Sequence, residues 1–63
     1  MPLIEVKLYD RRVPTPAESG RIIEEMTEAL VRATGDEGVR QHTWVIVQGV
    51  PPTSWGIAGQ PGS

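Results

Sequence analysis

The chain has 63 residues, with six Lys and Arg against eight Asp and Glu, one His, no Cys and a net charge of −2. This length allows one domain, residues 1–63, which buries only about 60% of its unfolded surface and is marginal alone. Disulfides and cysteine-ligated zinc are excluded, so we expect oligomerisation. Phosphate backbones require a basic stripe, so nucleic acid is not an expected partner. No apolar run approaches the roughly 18 residues of a membrane span and no signal peptide is recognisable, so we expect a soluble cytoplasmic protein.

The first predicted element is a β-strand over residues 3–9. Ile4, Val6 and Leu8 alternate with polar residues and therefore share one face of the strand. Strict alternation with β-branched members is typical of a half-buried strand. The residues that follow, 10–14, break the alternation and predict a loop.

A helix is predicted to begin at Pro16. Thr15 is a capping residue, Pro16 suits the first helical position, and Glu18 completes a capping box. Gly35 suits the end of the helix, because glycine readily adopts a positive φ. Gly20 costs about 1 kcal/mol against alanine within a helix, and close packing against a neighbour is one explanation for it. One apolar stripe is predicted, formed by Ile22, Ile23, Met26, Ala29, Leu30 and Ala33.

A second strand is predicted over residues 43–47. Its continuous apolar run is typical of a strand that is covered on both faces. Strand, helix and strand in this order predict a β-α-β unit with parallel strands and a right-handed crossover. Residues 49–54 predict a loop and residues 60–63 a loose tail. A two-stranded sheet leaves one face and its edges open, so we expect two chains to stack their sheets with the helices outward.

Most kinds of catalytic site are excluded by what the chain lacks. No cysteine nucleophile is present, and the serines have only His42 as a candidate base. A single histidine makes no metal site, and residues 56–59 lack the lysine and following helix of a phosphate loop. We therefore expect neither a metal nor a cofactor.

Pro2 is the remaining candidate. A Met before a small residue is normally removed, which would expose a secondary amine at the start of a strand. The reference pKa of an α-amino group is about 8, and burial or a nearby guanidinium lowers it and makes the amine a usable base. Arg11 and Arg12 lie about 30 Å away at the other end of the strand, so they can meet Pro2 only from another chain. The alternative is that Met-Pro is a common start without chemical meaning.

Several features together resemble the 4-oxalocrotonate tautomerase family. They are Pro2-Leu3-Ile4 opening a strand, Arg12 just past its end, the capped amphipathic helix and Trp55-Gly56-Ile57-Ala58-Gly59 near the C-terminus. The resemblance implies an α+β, two-layer fold in which a β-α-β unit with parallel strands is followed by a short C-terminal β-hairpin. It further implies a homo-oligomer, a hexamer built as a trimer of dimers, while a heteromer is the alternative.

The resemblance also implies a role for each matching residue. Pro2 would shuttle a proton between the enol oxygen and a carbon of a small unsaturated 2-hydroxy or 2-oxo acid, without a cofactor. Arg12 of a neighbouring chain would bind a substrate carboxylate, and Arg11 is the alternative because residues 13–16 resemble an insertion. Trp55 would form an apolar wall that helps to lower the proline pKa.

One departure from the family concerns its second arginine, which lies eleven residues before the pocket aromatic. That position is Trp44 here, and Arg40, four residues earlier, is the candidate to replace it. Two alternatives follow: a non-catalytic or partner-dependent subunit, which a retained Met1 would favour, or a relative with hydratase, dehalogenase or decarboxylase activity. Hydration would require a carboxylate near Pro2, and the sequence places none there.

Overall fold

The computed structural model describes residues 2–9 and 14–62. Met1, Ser63, most of the predicted loop and the candidate arginines Arg11 and Arg12 lie outside the described residues. The described part contains no helix with the length and hydropathy that a bilayer crossing requires. In chain order, the elements are β1 (Leu3–Tyr9), α1 (Pro16–Thr34), a 3-10 helix (Glu37–His42), β2 (Trp44–Val50), a 3-10 turn (Pro52–Ser54), β3 (Gly56–Ile57) and β4 (Gln60–Pro61).

The two long strands pair in parallel, which confirms the predicted β-α-β unit. The register runs from Leu3 opposite Trp44 to Tyr9 opposite Val50. β2 is longer than predicted, because Gly49 and Val50 continue the ladder opposite the last two residues of β1 instead of beginning a loop. Backbone pairing along the whole of β1 therefore sets the length of β2, which the apolar run alone did not show.

α1 begins and ends as its sequence predicts. The Thr15 hydroxyl accepts from the Glu18 N–H at 3.1 Å, and the Thr15 N–H donates to the Glu18 carboxylate at 2.9 Å. At the other end Gly35 has φ 67° and its N–H donates to the Val31 carbonyl at 2.9 Å. These bonds satisfy backbone groups that a helix end leaves unpaired.

The apolar stripe of α1 is narrower than predicted. Ile22, Met26 and Leu30 are half-buried, whereas Ile23 is 40% exposed and Ala33 is exposed. Successive helical residues are rotated by about 100°, and two strands form too narrow a layer to cover the whole stripe. Nor do the described residues give Gly20 a packing reason, since a Cβ there would meet none of their atoms within 4 Å.

The second face of the β1–β2 sheet has no covering layer among the described residues, as expected for a two-stranded sheet with one helix. We call this face, opposite α1, the open sheet face. Leu3 is 55% exposed on it, Trp44 58% and Ile46 41%. Among the described residues no apolar side chain other than that of Pro52 is fully buried. Apart from Pro52, the described apolar side chains of a single chain are thus buried only in part or exposed, as the small size of the chain led us to expect.

The C-terminal segment is a β-hairpin, and the predicted loose tail is wrong for the residues of β4. Gly56 pairs with Pro61 and Ile57 with Gln60 in antiparallel register. Both connecting residues have positive φ, 53° at Ala58 and 80° at Gly59, as two-residue hairpin turns of type I′ require. The hairpin therefore follows from a local turn, and it confirms what the family resemblance implied.

Candidate active site

Pro2 lines an open cleft of about 380 Å³, which we call the Pro2 cleft. Pro2 is half-buried, and its carbonyl accepts a hydrogen bond of 2.9 Å from the Trp44 N–H. This bond ties the starts of β1 and β2 together at one edge of the sheet. The lining residues are Pro2, Asp36, Gly38, Val39 and His42.

The segment that forms the rest of the cleft is shaped by Asp36. Its Oδ1 accepts from the Gly38 N–H at 2.9 Å, and its carbonyl accepts from the Val39 N–H at 3.2 Å. A Cβ at Gly38 would stand 3.0 Å from Asp36 Oδ1, so a larger residue would disturb this turn. The short 3-10 helix thus starts from a fixed carboxylate and ends at His42, beside β2.

Two residues of the cleft were missed from the sequence, Asp36 and His42. From the sequence, His42 was a candidate only as a base for a serine, and no carboxylate was expected near Pro2. The available signal was topological: parallel strands begin at the same edge, so the segment before β2 must lie beside the residue before β1. Residues 2–9 and 14–62 contain no group of three or more His, Asp or Glu side chains placed to hold a metal ion.

Arg40 is held away from the Pro2 cleft by two carboxylates. Its Nε donates to Glu37 Oε1 at 2.6 Å and its Nη2 to Glu37 Oε2 at 3.3 Å. Its Nη1 forms an ion pair with Glu28 on α1. Arg40 is not one of the described residues that line the Pro2 cleft. The structure therefore places this candidate on the outer surface, linking α1 to the 3-10 helix.

Trp55, the predicted apolar wall, lies in a second cleft of about 350 Å³, which we call the aromatic cleft. Its ring meets Tyr9 edge to face, with 5.6 Å between the ring centroids. The Trp55 indole N–H donates to the Val50 carbonyl at 3.2 Å, which anchors the ring to the end of β2. Tyr9 is a second aromatic residue that sequence reasoning did not select. The cleft is lined by Tyr9, Trp55, Gly56, Ile57 and Gly62.

The two clefts lie at opposite ends of β1. Pro2 precedes the strand, and Tyr9 is its last residue. Seven residues of extended chain span roughly 23 Å. One chain therefore does not bring Pro2 and Trp55 together, and a site that uses both must combine two chains.

A family model described as a tautomerase enzyme matches residues 2–62 of the chain. The crystal structure of TomN, a 4-oxalocrotonate tautomerase homologue of the tomaymycin biosynthetic pathway, superposes with a TM-score of 0.72 and 32% identity. The superposition covers 95% of this chain and 86% of TomN. The chain belongs to the 4-oxalocrotonate tautomerase family. The resemblance seen in the sequence is thereby confirmed, and with it a tautomerase-type, isomerase function.

Other tautomerases are similar to this chain over nearly its whole length. A 2-hydroxymuconate tautomerase of Pseudomonas putida is 37% identical over 59 residues, which are 94% of this chain and 87% of the relative. A protein of Ralstonia nicotianae named a probable tautomerase is 40% identical over 63 residues, 100% of this chain and 84% of its own. The crystal structure of an apo unfused 4-OT has a TM-score of 0.72 at 28% identity, covering 97% of this chain and 93% of that one.

Proposed function

We propose that this chain is a cofactor-free tautomerase that moves a proton on a small unsaturated 2-hydroxy or 2-oxo acid, with Pro2 as general base and then general acid. The observation that carries the proposal is the position of Pro2 in an open cleft of about 380 Å³, at the start of β1. Small-molecule sites have volumes of about 300–1,000 Å³, so the cleft suits a short acid. Removal of Met1 supplies the secondary amine.

The proton transfer needs only one basic group. The Pro2 nitrogen takes the proton from the enol oxygen of the substrate, and the oxygen–carbon bond becomes a carbonyl. The electron pair moves along the conjugated carbons, and the ammonium proton of Pro2 forms a new C–H bond on the carbon that receives it. The amine is restored, so no oxidant, reductant or further reactant is consumed.

The remaining parts of the site would come from a neighbouring chain. Arg12, or Arg11, would bind the substrate carboxylate, and Trp55 would form the apolar wall. The separation of the two clefts along β1 supports a shared site, and the open sheet face supports association of chains. We propose a homo-oligomer, a hexamer as in the family the chain resembles, with a heteromer as the alternative.

The direct test compares the native chain with Pro2→Ala in turnover of 2-hydroxymuconate and of the enol form of phenylpyruvate. We expect Pro2→Ala to lose about 100-fold or more in kcat, the range for general acid–base groups. Pro16→Ala is the control, because Pro16 lies at the exposed start of α1 and should leave turnover unchanged. Equal rates in native and Pro2→Ala protein would contradict proline catalysis. The mass of the native N-terminus should lack Met1, and a retained Met1 would favour a non-catalytic subunit.

A second candidate function is favoured by Asp36 in the Pro2 cleft. A carboxylate beside the proline could activate water for addition to a haloacrylate. Hydroxide would add to the halogen-bearing carbon, Pro2 would protonate the neighbouring carbon, and loss of hydrogen halide would leave an aldehyde. A product screen with haloacrylates tests this reading, and Asp36→Asn should then abolish halide release while leaving tautomerisation intact. No halide release by the native chain would exclude it.

A further inference from the structure

We propose that His42 binds the substrate in the Pro2 cleft, donating an imidazole N–H to an oxygen of the anionic acid. The proposal rests on the proposed function and assigns a specificity residue to the same site. His42 ends the 3-10 helix, is exposed, and lines the cleft together with Pro2. It is the residue closest in sequence to β2 that does so.

Bonds on both sides of His42 fix its backbone relative to Pro2. The Thr43 hydroxyl donates to the Val39 carbonyl at 2.6 Å, across the turn that contains His42. The Trp44 N–H, two residues on, donates to the Pro2 carbonyl at 2.9 Å. The backbone of His42 is thus held beside Pro2, so binding a ligand there requires only that the imidazole adopt one rotamer.

Two backbone donors in the lining of the cleft, those of Gly38 and Val39, are already used. The Gly38 N–H donates to Asp36 Oδ1 at 2.9 Å, and the Val39 N–H donates to the Asp36 carbonyl at 3.2 Å. The imidazole of His42, in contrast, has no hydrogen-bond partner among the described residues. A neutral or a protonated imidazole carries at least one N–H, so His42 offers a donor in either state.

Two cations were expected near the reacting end of the substrate, the family's second arginine and Arg40. Neither is among the described residues that line the Pro2 cleft. Trp44 stands at the position of the family's second arginine, and its side chain lies on the open sheet face. Arg40 is paired with Glu28 and Glu37. His42 is therefore the donor that the cleft itself supplies for an oxygen of the substrate.

The carboxylate of Asp36 disfavours an anionic ligand in the cleft, and a hydrogen bond from His42 would offset this repulsion. The Asp36 carboxylate lines the same cleft and repels an anionic ligand, although Oδ1 is occupied by the Gly38 N–H. A substrate carboxylate in this cleft therefore needs a hydrogen-bond donor that binds a charged oxygen more strongly than the neutral oxygen of an ester. A hydrogen bond to a charged oxygen is stronger than one to a neutral oxygen, so His42 should distinguish an acid from its ester.

The test measures equilibrium binding to the assembled protein by calorimetry, with muconate and its uncharged dimethyl ester as probes. His42→Ala should weaken muconate binding by about 10- to 100-fold and leave ester binding unchanged. His42→Gln keeps an N–H donor and should recover part of the loss. Gln41→Ala, at the exposed neighbouring residue that does not line the cleft, should bind both probes as the native chain does. Equal muconate affinity in native and His42→Ala protein would overturn the proposal, as would native protein that binds the ester as tightly as muconate.

Turnover of 2-hydroxymuconate gives a second, independent measurement. A group that binds ground state and transition state alike affects KM and leaves kcat unchanged. His42→Ala should therefore raise KM by about tenfold or more, with kcat changed by less than about threefold. A loss confined to kcat would overturn the binding role. Binding of muconate remains measurable in Pro2→Ala, so the failure of proline catalysis and the failure of this proposal are separate results.

Discussion

The backbone N–H of Trp44 donates to the carbonyl of Pro2 at 2.9 Å, which fixes the first residue of β2 beside the proline. The sequence resemblance implies that the family's second arginine would stand at the position of Trp44. The backbone at this position is bonded to Pro2, and its side chain is an indole that is 58% exposed on the open sheet face. An indole offers one neutral donor where a guanidinium offers a charged fork.

Trp44→Arg should therefore raise kcat/KM for 2-hydroxymuconate by about tenfold or more, because a cation beside Pro2 would stabilise the negative charge that develops on the substrate oxygen. Steady-state kinetics on the native and variant proteins check this. Gln41→Arg is the matched control: it adds the same charge three residues before Trp44, at an exposed position that does not line the Pro2 cleft, and should bring no gain. A Trp44→Arg protein that is no faster than native, with an unchanged assembly by light scattering, would show that position 44 does not reach the substrate.

The β-α-β unit could be predicted from the sequence because its determinants are local. Alternation predicts β1, and Thr15, Glu18 and Gly35 mark the ends of α1. The end of β2 could not be predicted in the same way, since Gly49 continues the strand only through its pairing with β1. The apolar run of β2 predicts that both of its faces need covering, but it does not show which chain covers the second face.

A charge at Ile46, which lies further inside the open sheet face than Trp44 at the start of β2, should prevent chains from associating. Ile46→Lys would place an ammonium opposite Glu5 in the ladder and beside the exposed apolar side chains of Leu3 and Trp44. Taking such a pair of charges into an interface costs several kcal/mol of desolvation per ion. We expect a smaller species in sedimentation velocity and a lower Tm at equal protein concentration. Ala33→Lys adds the same charge at an exposed position of α1 and should leave the native assembly. An Ile46→Lys protein of native size would mean that chains associate through another surface.

The candidate site was harder to predict than the fold, because its parts meet through topology. Pro2 and Trp55 were selected by residue type and resemblance, but their placement at opposite ends of β1 is a property of the folded chain. Asp36 and His42 carry no motif, and they reach Pro2 only because parallel strands start at one edge. Arg40 was selected by its distance in sequence, which does not show that Glu28, twelve residues earlier, binds it.

Gly20→Ala should stabilise the chain. A Cβ there meets no heavy atom within 4 Å, and alanine is favoured over glycine inside a helix by about 0.5–1 kcal/mol. Thermal unfolding at fixed protein concentration should give a higher Tm, by about 4 °C. A lower Tm would show that another chain packs against this position in the assembly.

Gly62→Ala should have the opposite effect. A Cβ at Gly62 would stand 2.7 Å from the carbonyl oxygen of Pro52 and 3.0 Å from the Tyr9 hydroxyl. The Gly62 N–H also donates to the Trp55 carbonyl at 2.7 Å, so the residue cannot move away without loosening the hairpin. Overpacking of this kind costs about 1–3 kcal/mol, and because it displaces Tyr9 and Trp55 we expect turnover of 2-hydroxymuconate to fall together with the Tm. Gly20→Ala supplies the control for the same chemical change at an open position. A Gly62→Ala protein with native Tm and native turnover would mean that the aromatic cleft does not depend on the close contact of the hairpin with β1.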